Sequence, residues 1–159
     1  MEAYDYLAKE VVDKLIALGY RISFAESCTG GLAVARLVGV PDASRVLDAS
    51  IVTYANSAKI EYLGVKESTI NTHGVVSEEV AKEMAEGVAK RNASNVGVGI
   101  TGIAGPGGAT ERKPVGMVCF GFFIAGKCFT FTKQFGAIGR QEVRGASVDF
   151  VYEMLCELI

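Results

Sequence analysis

A chain of 159 residues, half of them apolar and 21% charged, has the size and composition of one globular domain that needs neither disulfides nor a structural metal to be stable. A net charge of −2 with no basic run excludes the cationic stripe on which phosphate-driven nucleic-acid binding depends. Cys28, Cys119, Cys128 and Cys156 show no CxxC spacing and His73 is the only histidine, which argues against zinc and against a disulfide framework. No window approaches the ~20 apolar residues that span a bilayer, and the opening residues are acidic and amphipathic rather than a basic, apolar leader. The expected compartment is the reducing cytoplasm, with no membrane partner.

In chain order, Tyr4, Leu7, Ala8, Val11, Val12, Leu15, Ile16 and Leu18 follow helical spacing, and Gly19 stands where a C-cap glycine belongs. Residues 21–25 (RISFA) read as a strand that meets Glu26-Ser27-Cys28-Thr29-Gly30-Gly31, and LAVARLV then reads as a buried helix. Residues 49–54 (ASIVTY) form a β-rich run, and residues 55–64 a short helix ended by glycine. Ser77 caps a helix of about fifteen residues, with Glu78 and Glu79 in its first turn and Val80, Met84 and Val88 on one face.

Residues 96–101 (VGVGIT) read as a buried strand whose glycines mark the close approach of a backbone or a ligand. A glycine-rich loop follows, then two apolar runs, 115–124 and 127–134, separated by Ala125-Gly126 as an antiparallel hairpin. Residues 140–159 are helical. The expectation is a single domain, residues 1–159, of the α/β class: a three-layer α/β/α sandwich with a mixed, mostly parallel sheet. The hairpin leaves an edge that a second subunit could cover, so a homo-oligomer, a dimer, is expected.

The strand–turn–helix at Ser27 exposes a hydroxyl at the carboxyl edge of the sheet and aims unpaired N–H groups at whatever oxygen lies there. That arrangement suits an oxyanion or a phosphate, and equally a plain capped turn. A serine nucleophile needs a base. His73 offers a Ser-His pairing from a loop position, and a lysine desolvated enough to lose its proton is the alternative, with Lys59 the best placed on its short helix. Cys28 competes with Ser27, since a thiol at a helix N-terminus can ionise more readily. The loop 101–108 offers backbone N–H groups without bulk, matching neither the Walker A spacing nor a dinucleotide fingerprint. Arg140 could pair bidentately with phosphate or carboxylate, or be an ordinary surface cation.

Taken together, AESCTGG (25–31), VTYAN-x-AK (52–59), HGVVSEEVA (73–81), TGIAGPGG followed by KPVG (101–116) and R-x-x-VR (140–144) resemble the CinA C-terminal domain family. The resemblance runs in order from about Leu7 to the C-terminus. It implies the three-layer fold already read, and an amidohydrolase converting nicotinamide mononucleotide to nicotinic acid mononucleotide and ammonia without cofactor or metal, the alternative being a catalytically silent nucleotide-binding or regulatory module of the same fold. It also implies a Ser-Lys pair, Ser27 as nucleophile and Lys59 as base, with oxyanion donors from residues 29–31 or from the glycine-rich loop. Thr29, Gly30, Gly31, Tyr54, Thr101, Gly102, Gly105 and Arg140 are implied as substrate-binding positions, and Ser44 as an auxiliary one. The chain looks like the stand-alone form, without the molybdopterin-binding-like domain of many relatives. It departs from the usual family pattern at Asp48-Ala49-Ser50 and at Ile138-Gly139.

Overall fold

The computed structural model describes residues 5–159, and Tyr4, the first position of the predicted helical stripe, lies outside them. Helix α1 (Tyr6–Leu18) is capped at its start by the Asp5 carboxylate, which accepts from the Ala8 N–H, and at its end by Gly19 at φ 67°. Strand β1 (Ile22–Glu26) and helix α2 (Leu32–Val38) flank the Ser27 turn. A 3₁₀ turn (Ala43–Arg45), not expected from the sequence, leads into β2 (Leu47–Val52).

Helices α3 (Asn56–Leu63), α4 (Glu67–His73) and α5 (Glu78–Asn92) follow, and Ser77 caps α5 through the Val80 N–H as expected. Helix α4 is not among the elements expected from the sequence: none of its seven residues (ESTINTH) is fully buried, and they carry little hydrophobic periodicity. His73 is therefore the last residue of a helix, not a loop residue. Strand β3 (Val96–Gly102), the hairpin β4 (Met117–Ile124) and β5 (Lys127–Gln134), and helix α6 (Arg140–Leu158) complete the chain. Ala125 and Gly126 both take positive φ, 47° and 94°, the twist a two-residue hairpin requires.

The five strands are ordered β2-β1-β3-β4-β5. Parallel pairing joins β2, β1 and β3, and antiparallel pairing joins β3–β4 and β4–β5, so the sheet is mixed with only β4 running against the rest. Side-chain alternation decides which face each layer covers. Ile22, Phe24, Val96, Val98, Ile100, Val118, Phe120 and Phe122 point toward α1, α2 and α6 and form the larger core. The opposite face carries Gly97, Gly99 and Gly121, against which α5 lies so closely that an added Cβ would come within 2.2–2.3 Å of the carbonyl oxygens of Ala81 or Ala85. The glycines of the VGVGIT strand thus admit a helix backbone.

Gly99→Ala places a methyl group against main chain that cannot swing aside, and is expected to cost on the order of 2–3 kcal/mol. Urea unfolding of the two proteins checks this; an unchanged midpoint would show that α5 can lift away freely.

Candidate functional site

The parallel strands set the site. The β1–β2 register aligns Glu26 with Val52, and the Thr53 N–H continues the ladder by donating to the Glu26 carbonyl at 2.9 Å, so Ser27 and Thr53 leave the sheet side by side. Chain direction then turns into α3, whose first turn holds Lys59. Side chains on a helix lean toward its N-terminus, which carries the lysine back over the strand ends. Its Nζ donates to the carbonyls of Thr53 (2.7 Å) and Tyr54 (3.2 Å) and lies 3.1 Å from Ser27 Oγ.

Lys59 is 1% exposed, and no acidic residue lies among those that line its chamber. Burial lowers its pKa to about 8. Burial pushes the neighbouring Cys28 thiol up to about 11, which makes it a poor nucleophile near neutrality. His73 is exposed at the end of α4, 3.6 Å from a Glu79 carboxylate oxygen and outside the Ser27–Lys59 chamber.

The turn itself is held by a residue that sequence reasoning passed over. The buried Glu26 carboxylate accepts from the Thr29 hydroxyl (2.7 Å), the N–H groups of Gly31, Ala33 and Val34 (2.9–3.2 Å) and the Ser50 hydroxyl (3.1 Å). The N-terminus of α2 is therefore occupied by the chain's own carboxylate. Of the expected oxyanion donors, the Gly31 N–H is taken by Glu26 and the Gly30 N–H by the Ser27 carbonyl, while the Thr29 side chain is fully buried and turned toward Glu26. Among the described residues, the N–H groups of Cys28 and Thr29 have no such acceptor. A glutamate ending a strand that is buried throughout was the available signal for this cap.

Two spaces adjoin the dyad. A chamber of about 170 Å³ is lined by Ser27, Lys59, Asn56, Thr101 and Gly102, among others. It shares Cys28, Tyr54, Val75, Val76 and Gly102 with an open cleft of about 860 Å³ that runs to the glycine-rich loop, Arg112, Lys113 and Arg140. The Thr101 hydroxyl donates to the Val75 carbonyl, fixing the chamber wall. Arg140 donates to the Gly105 carbonyl (2.8 Å) and the Tyr54 hydroxyl (2.9 Å), and so joins the loop to the rim above Lys59.

Gly105 needs its positive φ of 86°, and an added Cβ would strike Val115 at 2.5 Å. Lys113, also missed, donates across Gly74 to the carbonyls of His73 and Val76 and ties the loop to the α4–α5 connection. Arg144 donates to the carbonyls of Cys28 and Thr29 from α6. Ser44 is the exception among the expected positions. It lies exposed on the 3₁₀ turn before β2, at the amino edge of the parallel strands, and lines a separate hollow with Val38, Val40 and Leu47. Within one chain it does not reach the Ser27 site.

A buried base with a lowered pKa sets a sign for stability. Below about pH 8 the folded state carries a desolvated ammonium that the unfolded chain, with its value of 10.5, solvates freely. Wild type should thus gain stability relative to Lys59→Met as pH rises from about 8 toward 10.5. Urea unfolding of both proteins at pH 7 and pH 10 checks this, and a difference that does not change with pH would refute the burial argument.

Among the described residues no helix is long and apolar enough to cross a membrane, and no cluster of three histidine, cysteine or carboxylate groups could hold a metal ion. A family model described as the CinA C-terminal domain matches residues 4–159. A CinA-like protein of Kosmotoga olearia is 43% identical over 157 residues, which cover 96% of this chain but 38% of that protein, so the chain spans well under half of such relatives. The crystal structure of competence/damage inducible protein CihA from Agrobacterium tumefaciens superposes with a TM-score of 0.94 at 40% identity, covering 99% of both chains. That of a CinA superfamily protein from Escherichia coli does so with a TM-score of 0.93 at 32% identity, covering 100% of this chain and 95% of its own. The chain belongs to the CinA C-terminal domain family.

Proposed function

We propose that this domain is an amidohydrolase that uses Ser27 as nucleophile and Lys59 as its base. The observation that carries the reading is the hydrogen-bond pattern at Nζ. A neutral amine has two N–H groups and one lone pair; with both N–H groups donated to the Thr53 and Tyr54 carbonyls, the lone pair is left facing Ser27 Oγ at 3.1 Å. Two main-chain acceptors thereby orient the base, the role a third group plays in other activated-nucleophile sites.

The substrate class comes from the motifs that resemble the family: nicotinamide mononucleotide, taken to nicotinic acid mononucleotide and ammonia. The chamber of about 170 Å³ suits one small planar ring, and the cleft with Arg112, Lys113 and Arg140 suits a ribose phosphate. In the proposed reaction Ser27 Oγ bonds to the carboxamide carbon while its proton passes to Lys59. The C–N bond then breaks as Lys59 returns the proton to the departing ammonia. Water, deprotonated by Lys59, next attacks the acyl carbon, the Ser27–acyl bond breaks, and the hydroxyl is restored. The N–H groups of Cys28 and Thr29, which Glu26 does not engage, are the candidate donors for the oxyanion.

With a lysine pKa of about 8, about a tenth of the amine is neutral at pH 7. The rate of ammonia release from nicotinamide mononucleotide is expected to rise about tenfold per pH unit below pH 8 and to level above it. Ser27→Ala and Lys59→Ala should each lower it by at least about 10³-fold. Equal rates in all three proteins, or turnover abolished only by alkylating Cys28, would remove this reading.

A further inference from the structure

The Ser27–Lys59 pair offers opposite hydrogen-bonding faces in its two protonation states. When Lys59 is neutral, the Ser27 hydroxyl donates to its lone pair and turns oxygen lone pairs toward the chamber. When Lys59 is an ammonium, its three N–H groups match the three acceptors around it: the carbonyls of Thr53 and Tyr54, and Ser27 Oγ itself. The Ser27 proton must then point away from the lysine. It becomes a donor aimed into the chamber, backed by a buried positive charge.

No aspartate or glutamate lines that chamber, and the nearest buried carboxylate, Glu26, is spent on the α2 turn and Ser50. A cationic, acid-free space the size of one ring, with the Ser27 hydroxyl as its donor, suits a small planar carboxylate. We propose that this chamber binds aryl carboxylates through the Ser27 hydroxyl, with the Lys59 ammonium supplying positive charge from behind it, and that the protein thereby retains its own product.

As product retention the inference rests on the hydrolase reading; carboxylate binding itself does not. Hydrolysis of the acyl group yields a carboxylic acid beside Lys59. Such an acid is far stronger than an ammonium, even one with a pKa lowered to about 8, so its proton passes to the amine and leaves a carboxylate–ammonium pair. The carboxamide substrate cannot form that pair. Product is therefore held more firmly than substrate at neutral pH, and the ammonium must lose its proton before the next turnover begins.

Other charges around Lys59 do not duplicate this behaviour. Within the chamber the other titratable groups are the Cys28 thiol, held up to about 11, and the Tyr54 phenol, which accepts from Arg140. Arg140 reaches the rim from α6, and Arg144 lies behind the turn on the Cys28 and Thr29 carbonyls. From the α5 side Leu63 is met by Val80, Met84 and Val88, which are apolar, and Glu83 accepts from the Lys66 N–H beyond the far end of α3.

The test uses nicotinate and its neutral counterpart nicotinamide, neither of which carries the phosphate that the arginines could hold. Ligand-observed NMR titrations of the purified protein from pH 6.5 to 9.5 are expected to show nicotinate affinity falling about 30-fold, following loss of the Lys59 proton, while nicotinamide affinity stays level. Lys59→Met, with its fold verified by circular dichroism, should bind nicotinate at least tenfold more weakly at pH 6.5 and show no pH dependence. Arg140→Ala should keep the full pH dependence.

Nicotinate affinity that is absent or level with pH in wild type overturns the proposal even if Lys59→Met fails to fold, and so does loss of the pH dependence in Arg140→Ala. Ammonia release combined with level nicotinate affinity removes the retention and leaves the hydrolase. A pH-dependent nicotinate site without ammonia release supports the carboxylate site and overturns its role in holding product.

Discussion

The buried carboxylate of Glu26 is the interaction on which the site depends. Five donors converge on it, three of them N–H groups in the turn and first residues of α2. The first turn of a helix leaves N–H groups without internal partners and carries the positive end of the helix dipole; a carboxylate inside the fold answers both at once. The turn that carries Ser27 is thereby anchored from beneath. Ser50, at one of the positions where the chain departs from the usual family pattern, supplies one of those donors from β2 and links the edge strand to the cap.

Lys59 is positioned by the converse arrangement. Glu26 gathers main-chain donors around an acid, whereas Lys59 is held by main-chain acceptors around a base. Both use the backbone where it leaves the sheet, since strand ends and the turns that follow them have N–H and C=O groups not consumed by the ladder. The parallel register makes the two meet. With Glu26 opposite Val52, the turn after β1 and the segment after β2 emerge together, and α3 needs only its first turn to bring an amine across to Ser27. The site therefore lies where open α/β sheets place theirs, beyond the carboxyl ends of parallel strands.

Element order was legible in the sequence because periodicity and punctuation agreed. Gly19, Gly64 and Ser77 end or begin helices where their chemistry says they should, and Ala125-Gly126 turns the hairpin. Helix α4 was not, since its one apolar residue, Ile70, packs inward without a second to set a period. In the site, Ser27 and Lys59 could be named from their motifs, but the reason they meet is a strand register, which no local pattern encodes. Thr29 and Gly31 illustrate the opposite failure. Local chemistry marks them as free donors at a helix start, and only the tertiary placement of Glu26 shows those groups to be engaged.

The distribution of packing quality explains how the fold tolerates such a site. Away from it, α5 presses its backbone onto Gly97, Gly99 and Gly121, and Phe24, Phe120 and Phe122 fill the opposite core completely. At the site the fold accepts features that work against stability: a lysine without an acidic partner, and a Thr53 hydroxyl that is buried with no hydrogen-bond partner among the described residues. Unfavourable groups of this kind persist only where the surroundings over-determine the structure. The buried, acid-free setting that penalises the ammonium of Lys59 is the same setting that leaves part of its amine uncharged near neutrality. A chamber lined with compensating carboxylates would make the lysine more comfortable and chemically inert.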